Sequence, residues 1–165
     1  MTMLFTGARL AELVPSERST HVAMLKSEVD LENKVLTLRT AKQRKGMSTT
    51  LPKARIMKIP DHVAALLDRQ MATTEGAHVF PRLLNVPRDL NEILTKAGIP
   101  KVDALGMKIT AHSFRHTFGS MMAEVLQNNA FLLKEAMGHK KLCSTERYVN
   151  ISAPMLELSL PHVGA

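Results

Sequence analysis

The stretch AHSFRHTFGS, residues 111–120, sets His112, Arg115 and His116 within five positions. A three-residue spacing puts His112 and Arg115 on one face of a helix beginning near Ser113. A helix N-terminus presents unpaired N–H groups and the positive end of the dipole, so two basic side chains there suit a phosphate or a carboxylate. Other readings stand beside this one. His112 and His116 have the i, i+4 spacing of a zinc-binding helix, but Ser113 stands where a metalloprotease carries its glutamate, and the one cysteine, Cys143, is distant. The same residues fit a solvated basic face, or a core histidine with a satisfied hydrogen bond. Downstream, Gly138 is followed at once by His139, and Tyr148 comes nine residues later. Upstream, Arg9 and Glu12 are again three apart.

The elements that must position these residues are mostly helical. Val63, Leu66, Leu67 and Met71 repeat at helical spacing behind a candidate Asp61 cap. Leu90, Ile93, Leu94 and Ala97 do the same, with Asp89 as candidate cap and Gly98 as stop. Phe114, Phe118, Met121, Met122 and Val125 form a longer apolar stripe, which leaves Arg115 pointing off the core. Leu132, Leu133, Ala136 and Met137 form another, ended by Gly138, and a last short helix is expected over 144–149. Two runs, KVLTLR at 34–39 and RIMKIP at 55–60, read as strands, the second stopped by Pro60. The basic segment between them reads as a hairpin region, with a middle strand possible near 47–51. The class is therefore α+β: mainly helical, with a small antiparallel sheet of about three strands.

Composition narrows the function classes. A chain of 165 residues makes one ordinary domain, assigned here to 1–165. A single cysteine excludes an intramolecular disulfide framework and a thiolate-rich zinc site. No apolar run approaches the ~20 residues of a membrane span, and the apolar start lacks a basic leader and cleavage site, which makes it a poor signal peptide. Lys plus Arg number 22 against 15 Asp plus Glu, a net charge of +7 that suggests a polyanionic partner. No Trp and one Tyr argue against an aromatic platform for single strands.

Taken in order, the motifs are T-G-A-R-L-A-E-L, H-S-F-R-H-T-F, M-G-H and T-E-R-Y. The last three place H-x-x-R, G-H and Y at spacings of 3, 24 and 9. This series resembles the tyrosine recombinase, or phage integrase, family, and the resemblance covers nearly the whole chain. It implies the fold of that family's catalytic domain. It also implies site-specific recombination or integration of double-stranded DNA through a 3′-phosphotyrosyl intermediate, with no metal and no nucleotide cofactor. Tyr148 would be the nucleophile. Arg9 and Arg115 would grip the non-bridging oxygens, because a guanidinium donates in pairs and keeps its charge. His112 would act as base toward the Tyr148 proton or hold the phosphate. His139 would hydrogen-bond the phosphate or the nucleophile. Lys42 would protonate the leaving 5′-oxygen, with Lys45 as runner-up. Glu12 is expected as a buried partner steadying Arg9, and His116 as structural.

Arg44, Lys45, Lys140, Lys141 and Arg147 are candidate contacts to the DNA backbone. The tail carries an apolar stripe at Met155, Leu156, Leu158 and Leu160. In this family such a tail often docks on a neighbouring protomer, so a DNA-assembled homo-multimer is expected, with packing on its own core as the alternative. A cytoplasmic protein, associated with the nucleoid when bound to DNA, follows. The opening MLFTGARLAEL reads like the end of one buried helix running into another. An N-terminally truncated domain is therefore expected, lacking the family's core-binding domain and first catalytic-domain helices, with its activity alone in question. The segment VPSERSTHVAMLKSEVD also looks several residues longer than the family's usual link to the first strand. Two other functions stay open: a non-catalytic DNA-binding remnant, and type IB topoisomerase-like strand passage.

Overall fold

The computed structural model describes residues 1–16, 22–40 and 54–149. The polypeptide opens with two short helices, α1 (Thr2–Thr6) and α2 (Leu10–Leu13). A single 3₁₀ turn, Lys26–Glu28, leads into strands β1 (Val29–Asp30), β2 (Val35–Arg39) and β3 (Ala54–Lys58). Five more helices follow among the described residues: α3 (Asp61–Thr73), α4 (Val86–Lys96), α5 (Ala111–Val125), α6 (Ala130–Met137) and α7 (Cys143–Glu146).

The sheet is antiparallel in the order β1-β2-β3. Alternation along β2 buries Leu36 and Leu38. Opposite them in register stand Met57 and Arg55 of β3. The inward face of β3 therefore holds an arginine, while Ile56 points to solvent. The third described strand is β1, on the edge of β2; the middle strand considered near 47–51 lies outside the described residues.

One core cluster joins α1, α2, the sheet and α3 through Met3, Leu13, Met24, Leu36, Leu38, Val63 and Leu67. A second joins α5 and α6 through Phe118, Ala123, Leu133 and Met137, with Tyr148 packed against it. Met57 touches both. Helix α1 crosses α5 closely because Gly7, its left-handed C-cap at φ 59°, carries no Cβ. A Cβ there would stand 2.3 Å from the Phe118 ring.

Several expected boundaries shift. Asn85, not Asp89, caps α4, its side chain accepting from Arg88 N at 3.1 Å. Pro60 caps α3 and Asp61 falls in its first turn, beside Lys34 at 2.9 Å. Helix α5 starts before Ser113, because Thr110 and Ser113 form its capping box. Tyr148 lies just past α7 rather than inside it, its N–H donating to Thr145 O.

The largest correction concerns the faces of the helices. The buried face of α5 is Arg115, Phe118, Gly119 and Ala123. Met121 and Val125, expected in the core, are exposed, as are Ile93 on α4 and Leu132 on α6. Arg115 does not point off the core: it is 3% exposed. Burial of a guanidinium is tolerated here because carbonyls at two helix ends receive it.

Candidate active site

Arg9 is the N-cap residue of α2, and Glu12 is its third helical residue. The Glu12 carboxylate accepts from Arg9 N at 3.0 Å and from Arg9 Nη1 at 2.8 Å. Arg55 Nη2 reaches the same carboxylate at 3.1 Å from β3. Burial pushes the Glu12 carboxyl up, but Arg55 and Arg9 outweigh it and hold the group below its ordinary 4.5.

The C-terminus of α6 gathers the arginines. Its last carbonyls lack helical partners and carry the negative end of the dipole. Met137 O accepts from Arg55 Nη1 at 2.9 Å and from Arg115 Nη2 at 2.5 Å. Gly138 O accepts from Arg9 Nη2 at 3.3 Å. Gly7 O, at the end of α1, takes the other arm of Arg115. Gly138 holds φ 62°, and a Cβ there would meet Arg55 Nη1 at 1.9 Å, so only glycine lets the helix end sit on the guanidinium. Two guanidiniums, Arg9 and Arg55, share the Glu12 carboxylate, and Arg115 adds a third positive charge beside them. Burial and then Arg9 lower Arg115 to about 10, still cationic at neutral pH.

The histidines and the tyrosine stand at the edge of this cluster. His139 follows the left-handed turn at Gly138, and its Nδ1 is 2.9 Å from the buried Thr145 Oγ1. Burial, then Arg115, Arg9, Arg147 and Arg55, push His139 down to about 4, so its ring is neutral. It stacks on Tyr148 with centroids 6.3 Å apart and planes 19° apart. Burial, then Arg115 and Arg9, lower His112 in the same direction. The Tyr148 hydroxyl is 2.7 Å from His116 Nδ1. His112 sits one turn earlier in α5, its ring 6.1 Å from that of His116. Burial raises the Tyr148 phenol, and Arg147 and Arg115 oppose it.

Arg9, His112, Arg115, His139 and Tyr148 thus come together from α2, α5, the end of α6 and the segment after α7. Lys140, Lys141 and Arg147 are exposed beside them. Lys42, Arg44 and Lys45 lie outside the described residues. Among the described residues, no three of His, Cys, Asp and Glu converge as metal ligands. Two further residues contact this cluster. Arg55 was visible only as an arginine on the same strand face as Met57. His116, expected as structural, faces the tyrosine from the same side of α5 as Gly119.

The fold defined by these elements is that of tyrosine recombinase catalytic domains. The XerA recombinase crystal structure matches 92% of this chain and 50% of its own, with a TM-score of 0.62 at 23% identity. The Tn1549 transposon integrase in complex with transposon right end DNA matches 89% and 51%, with a TM-score of 0.65 at 19% identity. XerH recombinase bound to its difH substrate matches 92% and 42%, at 0.63 and 20%. In sequence, the tyrosine recombinase XerC of Rickettsia peacockii (strain Rustic) is 35% identical over 85 residues, which are 50% of this chain and 24% of that protein. XerC of Rickettsia bellii (strain OSU 85-389) is 34% identical over the same length. The profile of the phage integrase family matches residues 1–154, and the chain belongs to that family. It spans about half the length of the XerA and Tn1549 chains, and the matched part is about a quarter of the curated relatives. No helix among the described residues is long and apolar enough to cross a membrane.

Proposed function

We propose that this chain is the strand-cleaving domain of a site-specific DNA recombinase or integrase. One observation carries the reading: the only tyrosine stacks on His139 at the edge of a cluster of three arginines, two of which share the Glu12 carboxylate.

The chemistry follows from the donors available. Arg9 and Arg115 hold the non-bridging oxygens of a phosphodiester; each guanidinium has five N–H donors, and the carbonyls engage only some of them. Charge that builds on those oxygens in the transition state meets fixed cations, which is the main work of catalysis at such a centre. His112 donates to the same phosphate. With the Thr145 hydroxyl donating to Nδ1, His139 carries its proton on Nε2 and donates it toward the phosphate. The Tyr148 oxygen attacks phosphorus, the 3′-phosphotyrosyl bond forms, and the 5′-oxygen leaves with a proton from Lys42. The phosphoester energy stays in the protein–DNA link, so a 5′-hydroxyl reverses the step without a nucleotide cofactor.

Arg44, Lys45, Lys140, Lys141 and Arg147 steady the duplex through its phosphates. The protein assembles as a multimer on DNA and works in the cytoplasm, on the nucleoid. The DNA-bound states of the Tn1549 and XerH proteins support a DNA partner.

The test is covalent capture on nicked duplexes of randomised sequence in EDTA. Wild type should yield an adduct stable to denaturant, and Tyr148→Phe should bind without one. An adduct that survives the substitution, or one that needs Mg²⁺, contradicts the proposal. Salt-sensitive binding without any adduct would instead mark a non-catalytic DNA-binding domain.

A further inference from the structure

We propose that His116 and Gly119 form a seat for the nucleophile, with His116 Nδ1 receiving the Tyr148 proton as Oη attacks. This rests on reading Tyr148 as the nucleophile.

The seat is built on one face of α5. Gly119 is buried inside the helix, where it needs no unusual backbone angle and where glycine is otherwise unfavourable. Its value is space. A Cβ at Gly119 would stand 2.7 Å from Tyr148 Cε1 and 2.9 Å from Cδ1 and Cζ, so the phenol lies directly on the helix backbone. His116 is three residues earlier on the same face. Its ring therefore overhangs the hydroxyl end, with Nδ1 2.7 Å from Oη and centroids 5.7 Å apart. His139 covers the tyrosine from the other element. The ring is held by a helix backbone, a hydrogen bond and a stacked imidazole, all from its own chain.

The surroundings suit His116 to accept a proton. His112 and Arg115 face it from α5, and Arg147 and Tyr148 from the segment after α7. Burial, then Arg147, His112 and Arg115, lower its basicity, which favours the neutral imidazole. In the tautomer with hydrogen on Nε2, Nδ1 accepts from the phenol. As the Oη–P bond forms and the P–O5′ bond breaks, the phenolic proton passes to Nδ1. The 5′-oxygen takes its proton from a separate acid. On rejoining, the protonated His116 returns a proton to Oη as that bond breaks.

The composition supplies the probe. With one Tyr and no Trp, the near-ultraviolet emission and the tyrosinate absorbance of the intact chain report Tyr148 alone. Without DNA, wild-type emission should change with acid below the ordinary imidazole pKa of about 6.5, as Nδ1 becomes protonated. In His139→Gln, which removes the other titrating ring on Tyr148, the change should persist, and adding His116→Phe should abolish it with helix content preserved. In that background Gly119→Ala, which pushes the ring off the helix, should also abolish it. The kinetic arm uses randomised duplexes with a 5′-bridging phosphorothiolate, whose sulfur leaves without an acid. There His116→Phe and His116→Gln should still slow adduct formation about 10²-fold or more, the range of general-base assistance. His116→Gln keeps an acceptor for the phenol, so it should retain the tyrosine's position but not the rate. An emission profile unchanged when His116→Phe is added to His139→Gln, or adduct formation by His116→Phe at the wild-type rate, overturns the seat. If wild type forms no adduct while the optical changes occur as stated, the hydrogen bond stands and the recombinase reading fails.

Discussion

Arg55 on β3 donates to the Glu12 carboxylate on α2 at 3.1 Å, and its other arm donates to Met137 O at the end of α6. This one side chain fastens the sheet, the Arg9–Glu12 turn and the helix end that precedes His139. Glu12 also holds Arg9. The proposed phosphate site is thus assembled around the buried Glu12 carboxylate, and its stability depends on residues that need not touch DNA.

Arg55→Leu should therefore destabilise the fold. It leaves Met137 O without one of its donors and takes one partner from a buried charge, a change that typically costs about 3–5 kcal/mol. The urea unfolding midpoint measures it. A loss below about 1 kcal/mol would show that the ion pair is incidental.

The two left-handed helix caps should be far less replaceable than the other positive-φ glycines. At Gly138 an added Cβ would stand 1.9 Å from Arg55 Nη1, and at Gly7 it would stand 2.3 Å from Phe118. Gly106 has φ 76° but open space around it. Gly106→Ala should lose only the left-handed penalty of about 1–2 kcal/mol. Gly7→Ala and Gly138→Ala should each lose more, seen as lower thermal midpoints. Equal losses at all three positions would contradict the close packing.

The stacked histidine gives stability a pH dependence of known sign. The folded His139 has a pKa of about 4, against an ordinary 6.5. Between those values the unfolded chain binds a proton that the folded chain does not. His139's contribution is full above pH 6.5 and falls as the pH drops toward 4. His112 and His116 shift the same way and add to the slope. Glu12 acts lower, its contribution being lost only as the pH falls below 4.5 and through its own depressed value. His139→Gln should flatten the denaturation profile between pH 6.5 and 4; an unchanged slope would place its titration elsewhere.

Much of this was legible in the sequence, for local reasons. Alternation marks β2, helical spacing marks α3, and Gly138 marks the end of α6. What escaped depends on partners far along the chain. Arg115 looks like a surface residue because its neighbours Phe114 and Phe118 suggest a stripe beside it. It is buried because Gly7 O and Met137 O, 108 and 22 residues away, supply acceptors. Periodicity sees side chains, not the carbonyls of distant helix ends. Arg55 was hidden for the same reason. The expected lysine, Lys42, falls outside the described residues, so its part stands on resemblance alone.

Binding to duplex DNA should weaken steeply with salt. Arg147→Ala, Lys140→Ala and Lys141→Ala should each reduce the slope of log K against log salt by about 1, with little change in sequence preference. Fluorescence anisotropy across a salt series measures this. An unaltered slope would remove that residue from the backbone contacts.

The most direct measurement is the mass of the peptide linked to DNA. Duplexes of randomised sequence with phosphorothiolate leaving groups are incubated with the protein in EDTA, then digested by nuclease and protease. The account predicts a nucleotide joined through its 3′-phosphate to Tyr148 in the Arg147–Tyr148–Val149 segment, and none in Tyr148→Phe. A nucleotide found on any other side chain, or none at all from bound wild-type protein, would contradict it.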